Sequence, residues 1–446
     1  MPGVVGGGPV DPGLRERNSV VAKTEKSAAD PAASDKTGSP VDPEGIPEDI
    51  EVLASLSPDF VADPYTAFRR LRERGPVHRV LGPDRGVVWL VVGYEAAREA
   101  FVSPRLSRDW HREYRQPGWT PPYALNMLGN ANMLMSDPPH HTRLRKLVAQ
   151  EFTARRVEGM RRRVQEITDE LLDGMTKDGA RSADLIEAFA SPLPMIVISE
   201  LLGVPDLDRA AFHAWSNETL APTSPEAERE AYEQIMPYLA GLIADKRENP
   251  GEDLLSALVH TADEGGDRLT GDELVSLAFL LLVAGHETTV NLLGNAVRAL
   301  FAHPGQLAAV RADPAGLAAG LVEETLRYDG PVVTTTPRIA LEETEIAGVR
   351  VPRGAIVLIA MAAADHDPER FPDPEHFDVR RGDARSNVSF GHGVHFCLGA
   401  PLARLEGEVA LRTLLERCPE LAEDGEPGEW LPGMLIRGRR TLPVRW

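Results

Sequence analysis

The sequence predicts a mainly α protein with a small β part, built as one large domain behind an N-terminal tail. Three observations carry that expectation. Apolar residues recur at helical spacing through most of the chain beyond about residue 140. Runs rich in β-branched residues are short and fall in 86–93 and 332–359. The opening stretch, 1–45, is rich in Gly, Pro, Ser, Ala, Asp and Lys and lacks apolar periodicity, the composition of a disordered tail. The domain is expected to span 46–446. A chain of 446 residues often divides further, but no internal repeat or long linker follows the tail.

Taken in order, 66–74 reads as an amphipathic helix after an Asp-Pro-Tyr start, and 86–93 as a strand. Helices follow over 144–152, 156–174, 192–202, 226–246, 270–302 and 316–328. Short strands return between 332 and 359, and a last helix runs over 401–418 with Pro401 in its first turn, where a missing N–H costs little. Strands and helices do not alternate, which excludes a doubly wound sheet. The 270–302 segment is apolar almost all round over 277–285, as in a helix threading the middle of a protein. Gly285-His286-Glu287-Thr288-Thr289 interrupts it. Thr hydroxyls compete for backbone carbonyls, so a local distortion holding an acid and an alcohol in a buried pocket is one reading, and a helix that surfaces there is the other.

Composition narrows the function. Against 68 Asp+Glu stand 48 Lys+Arg, a net charge of −20, which disfavours nucleic acid and anionic membranes as partners. The apolar run 277–285 is shorter than the roughly 20 residues a membrane helix needs. No cationic start with a following apolar run marks a secretory signal, and two cysteines make neither a disulfide framework nor a zinc site. The expected location is the cytoplasm.

Of the two cysteines, Cys418 reads as a small buried apolar residue. Cys397 sits in Phe390-Gly391-His392-Gly393-Val394-His395-Phe396-Cys397-Leu398-Gly399, where three glycines in ten residues imply a tight loop close to another group. The loop opens onto a helix N-terminus, which is expected to lower the thiol pKa, and N–H groups beside Gly399 can donate to the sulfur. A nucleophilic cysteine using His392 or His395 as base is the competing reading, though histidines so near in sequence are poorly placed to reach the sulfur.

These residues resemble the cytochrome P450 family. The cysteine loop matches its heme signature at every fixed position, Ala284–Thr289 is similar to its oxygen-activation motif, and Glu324-Thr325-Leu326-Arg327 matches its Glu-x-x-Arg motif. Residues 137–145 resemble the segment that reaches the heme propionates in bacterial members. The resemblance implies a single-domain P450 fold with heme b between a long central helix and the cysteine-loop helix. It implies Cys397 as iron ligand, with Phe390 and Gly399 shaping its loop, and His141, Arg145, Arg338 and His395 on the propionates. Glu287 and Thr288 would relay protons to bound dioxygen, and Glu324, Arg327 and Arg381 would form a structural ion network, with Arg380 as runner-up to Arg381.

No flavin or iron–sulfur segment is evident, so the resemblance implies ferredoxin and ferredoxin reductase as electron donors. The basic run Arg143, Arg145, Lys146, Arg155, Arg156, Arg161, Arg162 and Arg163 either steers an acidic ferredoxin or is an ordinary solvated face. Segments 136–148, 197–205 and 280–293 are similar to macrolide hydroxylases of actinobacterial polyketide pathways, implying hydroxylation or epoxidation of a bulky, mostly apolar natural product. Candidate substrate segments are 110–133, 217–232, 332–336 and 434–436, with Ala284, Val332 and Met434 as candidate contacts. A peroxide-using heme-thiolate enzyme and a non-catalytic heme carrier are the alternatives, and neither needs the Glu287–Thr288 pair. A heme-free thiol hydrolase is the remotest reading.

Overall fold

The longest helix, Gly271–Ala302, organises the structure, a computed structural model that describes residues 58–82, 86–109, 132–205, 209–220, 224–262 and 266–446. Its start is fixed by a capping box: Thr270 Oγ1 accepts from the Glu273 N–H at 3.2 Å while Glu273 Oε2 accepts from the Thr270 N–H at 2.8 Å. Pro304 lies just past its end. Helices Pro192–Leu202, Pro225–Glu248, Pro314–Asp329 and Ala400–Arg417 pack around it. Among the described residues it is the one helix long and apolar enough to cross a membrane, but here much of its apolar surface is buried inside the protein. The helix is continuous through 285–289, so the expected distortion is absent: Thr288 Oγ1 instead donates to the Ala284 carbonyl at 2.8 Å, one turn back, within regular helix.

The small β part includes a five-stranded sheet. Its order is Val77–Leu81, Val87–Val91, Ile356–Ile359, Arg338–Ala340, Leu106–Ser107, mostly antiparallel, with a parallel pairing between Val87–Val91 and Ile356–Ile359. Arg338 is thereby held on a strand beside Leu106–Ser107.

The helix expected over 156–174 is two helices, Ala154–Gly159 and Arg161–Met175, parted at Met160. Thr153 caps the first, and the Met160 N–H closes it in a tight turn on Val157. Helices Tyr94–Val102, Arg209–Leu220, Leu254–His260 and Pro304–Ala312 add to the predicted set. All described residues belong to one compact unit, Thr37–Trp446. The expected tail and the expected start at residue 46 lie outside the described residues, as does most of the candidate substrate segment 110–133.

Candidate active site

The cysteine loop folds because its glycines do what other residues resist. Gly391 and Gly393 have φ of +73° and +75°, and a Cβ on Gly393 would lie 2.9 Å from Val102 Cγ1. The loop closes with the Cys397 N–H donating to the Phe390 carbonyl at 2.9 Å, then enters helix Ala400–Arg417. The Arg404 guanidinium lies 4.5 Å over the Phe390 ring and is held by Glu323, Nε to Oε1 at 2.6 Å. Cys397 is exposed by accessible surface, yet burial is the largest influence on its thiol, so its open face belongs to a recess in the fold. Here the sequence expectation is corrected. Burial raises the thiol above its ordinary value, and the N–H groups of Gly399 and Ala400, followed by the Arg145 and Arg404 cations, only partly offset it.

Around the recess the fold gathers arginines and histidines. His141 and Arg145 lie one turn apart on helix His140–Glu151. The rings of His141 and His395 are 4.1 Å apart. Arg145 Nη2 donates to the Phe396 carbonyl at 2.6 Å, beside the cysteine. Arg338 is buried, with Nη1 donating to the Phe101 carbonyl at 3.2 Å while Nε and Nη2 have no partner. Both ring nitrogens of buried His141 also lack a partner. Burial, then the Arg145 and Arg108 charges, lower the His141 pKa to about 4. Burial, with Asp137 opposing, lowers that of Arg338 to about 10. Asp137 is the counter-charge to these arginines, and the open donors of Arg338, with an N–H from each of the neutral His141 and His395 rings, fit a site for a dianionic group. A heme with two propionates and a thiolate ligand suits this donor set.

On the central helix, Ala284 is exposed and Val283, Gly285, Glu287 and Thr288 are half-buried, while Leu282, His286 and Thr289 are buried. Glu287 and Thr288 are not bonded to each other. Glu287 Oε1 accepts from Asn291 Nδ2 at 3.1 Å, and burial raises its pKa against that bond and the Arg440 charge. Among the substrate candidates, Val332 is half-buried and bridges to Ile436. Met434 is 4% exposed and packs in a core cluster with Phe60, Phe68 and Leu358, whereas its neighbour Leu435 is 45% exposed. Met434 is thus a core side chain, because its backbone is pinned inward by Thr334 Oγ1 at 2.8 Å.

The ion network forms around Glu324. Arg327 grips it through Nε and Nη2, both at 2.8 Å, and Arg381 Nε reaches it at 3.2 Å, while Arg380 is exposed. The same arginines donate to the carbonyls of Asp365, Pro374 and His376, tying helix Pro314–Asp329 to the segment that leads into the cysteine loop. Of the basic run, Arg143, Arg156, Arg161, Arg162 and Arg163 are paired with carboxylates of this chain. That favours the solvated-face reading over steering.

Sequence reasoning missed two site residues. Arg108, 5% exposed, lies among the cations around His141 and Arg338. Glu406, 2% exposed on the cysteine-loop helix, meets the Thr289 hydroxyl on the central helix, and burial raises its pKa to about 8.

A profile of the cytochrome P450 family matches residues 317–433. The chain is 54% identical to cytochrome P450 monooxygenase PikC of Streptomyces venezuelae over 396 residues, 88% of this chain and 94% of that protein. It is 47% identical to 6-deoxyerythronolide B hydroxylase of Saccharopolyspora erythraea over 403 residues, 87% and 97% of the two chains. The solved structure of the tirandamycin C-bound P450 monooxygenase TamI superposes with a TM-score of 0.80 at 43% identity, covering 89% of this chain and 99% of that one. The family's enzymes carry heme on a cysteine thiolate and act on small molecules with dioxygen and redox partners. With such relatives matched over nearly their whole lengths, the chain belongs to the cytochrome P450 family and is a monooxygenase of that family.

Proposed function

We propose that the chain binds heme b through Cys397 and oxidises a macrolide or related polyketide in antibiotic biosynthesis, drawing electrons from a ferredoxin and its reductase in the cytoplasm. The observation that carries the cofactor reading is the cysteine loop with unpartnered buried cations beside it. The substrate reading rests on similarity to PikC and to 6-deoxyerythronolide B hydroxylase.

When bound, the heme supplies activation of dioxygen and transfer of one oxygen atom to a C–H bond or alkene. Cys397 holds it from the loop side, and the N–H groups of Gly399 and Ala400 temper the charge on the sulfur. Phe390 packs beside the loop under Arg404. His141, Arg145, Arg338 and His395 would receive the propionates. Glu287, kept easier to protonate by burial, holds a proton one residue from Thr288, whose Oγ1 would have to leave the Ala284 carbonyl to pass one on. Ala284, Val332 and Leu435 supply apolar surface for a bulky substrate, and Glu324, Arg327 and Arg381 keep the loop in place.

The optical spectrum of the reduced protein under carbon monoxide tests the cofactor reading. A strongly red-shifted Soret band is expected, and its loss in Cys397→Ala. A heme-free protein, or an unchanged spectrum in the variant, would refute it. Titrating macrolides into the ferric protein should shift the spectrum towards high spin, whereas indifference to every macrolide would remove the substrate class. In Glu287→Ala/Thr288→Ala, heme is retained and product formed per NADPH consumed falls at least about tenfold. Full coupling in that double variant would end the proton-relay assignment.

A further inference from the structure

We infer that Arg108 is a further cation of the heme-propionate site, an assignment that rests on the cofactor reading above.

Arg108 follows the short edge strand Leu106–Ser107, which pairs with the strand carrying Arg338. Its backbone N–H donates to Asp137 Oδ1 at 3.1 Å, and the Ser107 hydroxyl bonds the other oxygen of that carboxylate. The turn is thus anchored to the segment that begins helix His140–Glu151, bringing the Arg108 side chain to the same place as His141. The side chain is 5% exposed, and its Nε has no hydrogen-bond partner. Of the charges acting on it, Arg338 is the largest and repels, while Asp137 attracts. A guanidinium buried in that company is unfavourable by itself. The fold holds two such groups together, each with unpartnered nitrogen.

Counting only permanent charges, three guanidiniums, Arg108, Arg145 and Arg338, share the site with one carboxylate, Asp137. Two positive charges are left over, the number that two propionates neutralise. Without Arg108 the same count leaves one. The charge of Asp137 is already in this count, and its two oxygens accept from the Arg108 N–H and the Ser107 hydroxyl. Arg145 spends a donor on the Phe396 carbonyl and Arg338 spends Nη1 on the carbonyls of Ala100 and Phe101. The open Nε of Arg108 adds a donor to the unpartnered Nε and Nη2 of Arg338. Guanidinium–carboxylate contacts of this kind are among the stronger hydrogen bonds in proteins.

The test compares wild type, Arg108→Gln and Arg108→Lys as holoenzymes, after the carbon monoxide spectrum has established thiolate ligation in each. Two quantities are read: the rate of heme transfer to excess apomyoglobin and the reduction potential of the iron. Arg108→Gln is expected to lose heme at least about tenfold faster, the effect of one charge-assisted hydrogen bond, and to shift the potential negative because a nearby cation is gone. Arg108→Lys, which keeps the charge, holds the wild-type potential and loses heme more slowly than Arg108→Gln. If Arg108→Gln cannot hold heme at all while Arg108→Lys can, the inference stands in its strongest form. Wild-type heme retention and potential in Arg108→Gln would overturn it. So would equal heme loss in the two variants with the potential unmoved, which is the result of a packing defect or of an arginine serving a substrate anion. A wild-type protein without heme would instead defeat the cofactor reading on which the inference rests.

Discussion

Glu406 shows what a single residue contributes when charge is taken out of water. Its folded pKa of about 8 lies far above that of an exposed Glu, so the folded state holds a proton the unfolded state releases. Linkage fixes the sign. Stability is full below the ordinary Glu range and is lost as pH rises through about 8. Asp365, raised by burial to about 7, acts in the same direction over a lower window. Glu406→Gln removes one of these contributions. The variant should therefore gain on wild type between pH 5 and pH 9, read as the difference in urea midpoints at the two values. An equal difference at both would show that Glu406 does not titrate in this way. The residue was illegible in sequence, because Arg404-Leu405-Glu406-Gly407-Glu408 reads as the polar face of a helix and only the packed central helix turns Glu406 inward. The Arg381–Glu324 pairing was anticipated by another route, the family resemblance, which pointed to an arginine just after Phe377. The direction of the Cys397 pKa was not, since desolvation depends on what surrounds the loop.

Between elements, the contact that matters for chemistry joins the central helix to the C-terminal loop. Asn291 holds Glu287 through both its backbone carbonyl, at 2.9 Å, and its carboxylate, at 3.1 Å. Gly438 lies so close over Asn291 that any Cβ there would overlap the carboxamide. Four positions on, Asn295 donates to the carbonyls of Asp329 and Arg437 at 2.9 and 3.0 Å, which fixes the loop against the helix. Gly438→Ala must displace Asn291 and with it the Glu287 carboxylate. The expected cost is about 1–3 kcal/mol of stability, as for other overpacked sites. The sharper expectation is functional: product per NADPH falls while the carbon monoxide spectrum is unchanged, and Asn291→Ala does the same. Normal coupling in both variants would separate the loop from the proton path. Helix ends could be read from the sequence because Thr270 and Glu273, or Asp313 before Pro314, mark them locally. The Gly438–Asn291 contact could not, since a glycine in a loop carries no sign of the distant side chain it makes room for.

At the scale of the whole molecule, the relevant quantity is the field an electron donor meets. The chain carries a net charge of −20, and an acidic ferredoxin would be repelled by that total at long range. The basic run read from the sequence promised a local remedy. In the fold, however, Arg143 meets Asp267 and Glu273, Arg161 meets Glu158 and Glu408, and Arg163 meets Glu166, Glu170 and Glu200. Charges paired this closely cancel beyond a few ångströms, so the run projects little attraction. A linear sequence displays like charges in a row but not the carboxylates that other elements bring to them. What remains is the total charge, which salt screens over about 8 Å at physiological ionic strength. The second-order rate of reduction by an acidic ferredoxin should therefore rise, or stay level, as salt is added from low ionic strength. Stopped-flow reduction across a salt series measures this directly. A steep fall with salt would mean that attraction dominates the encounter, returning a steering role to cations that the ion pairs leave uncovered around the cysteine loop.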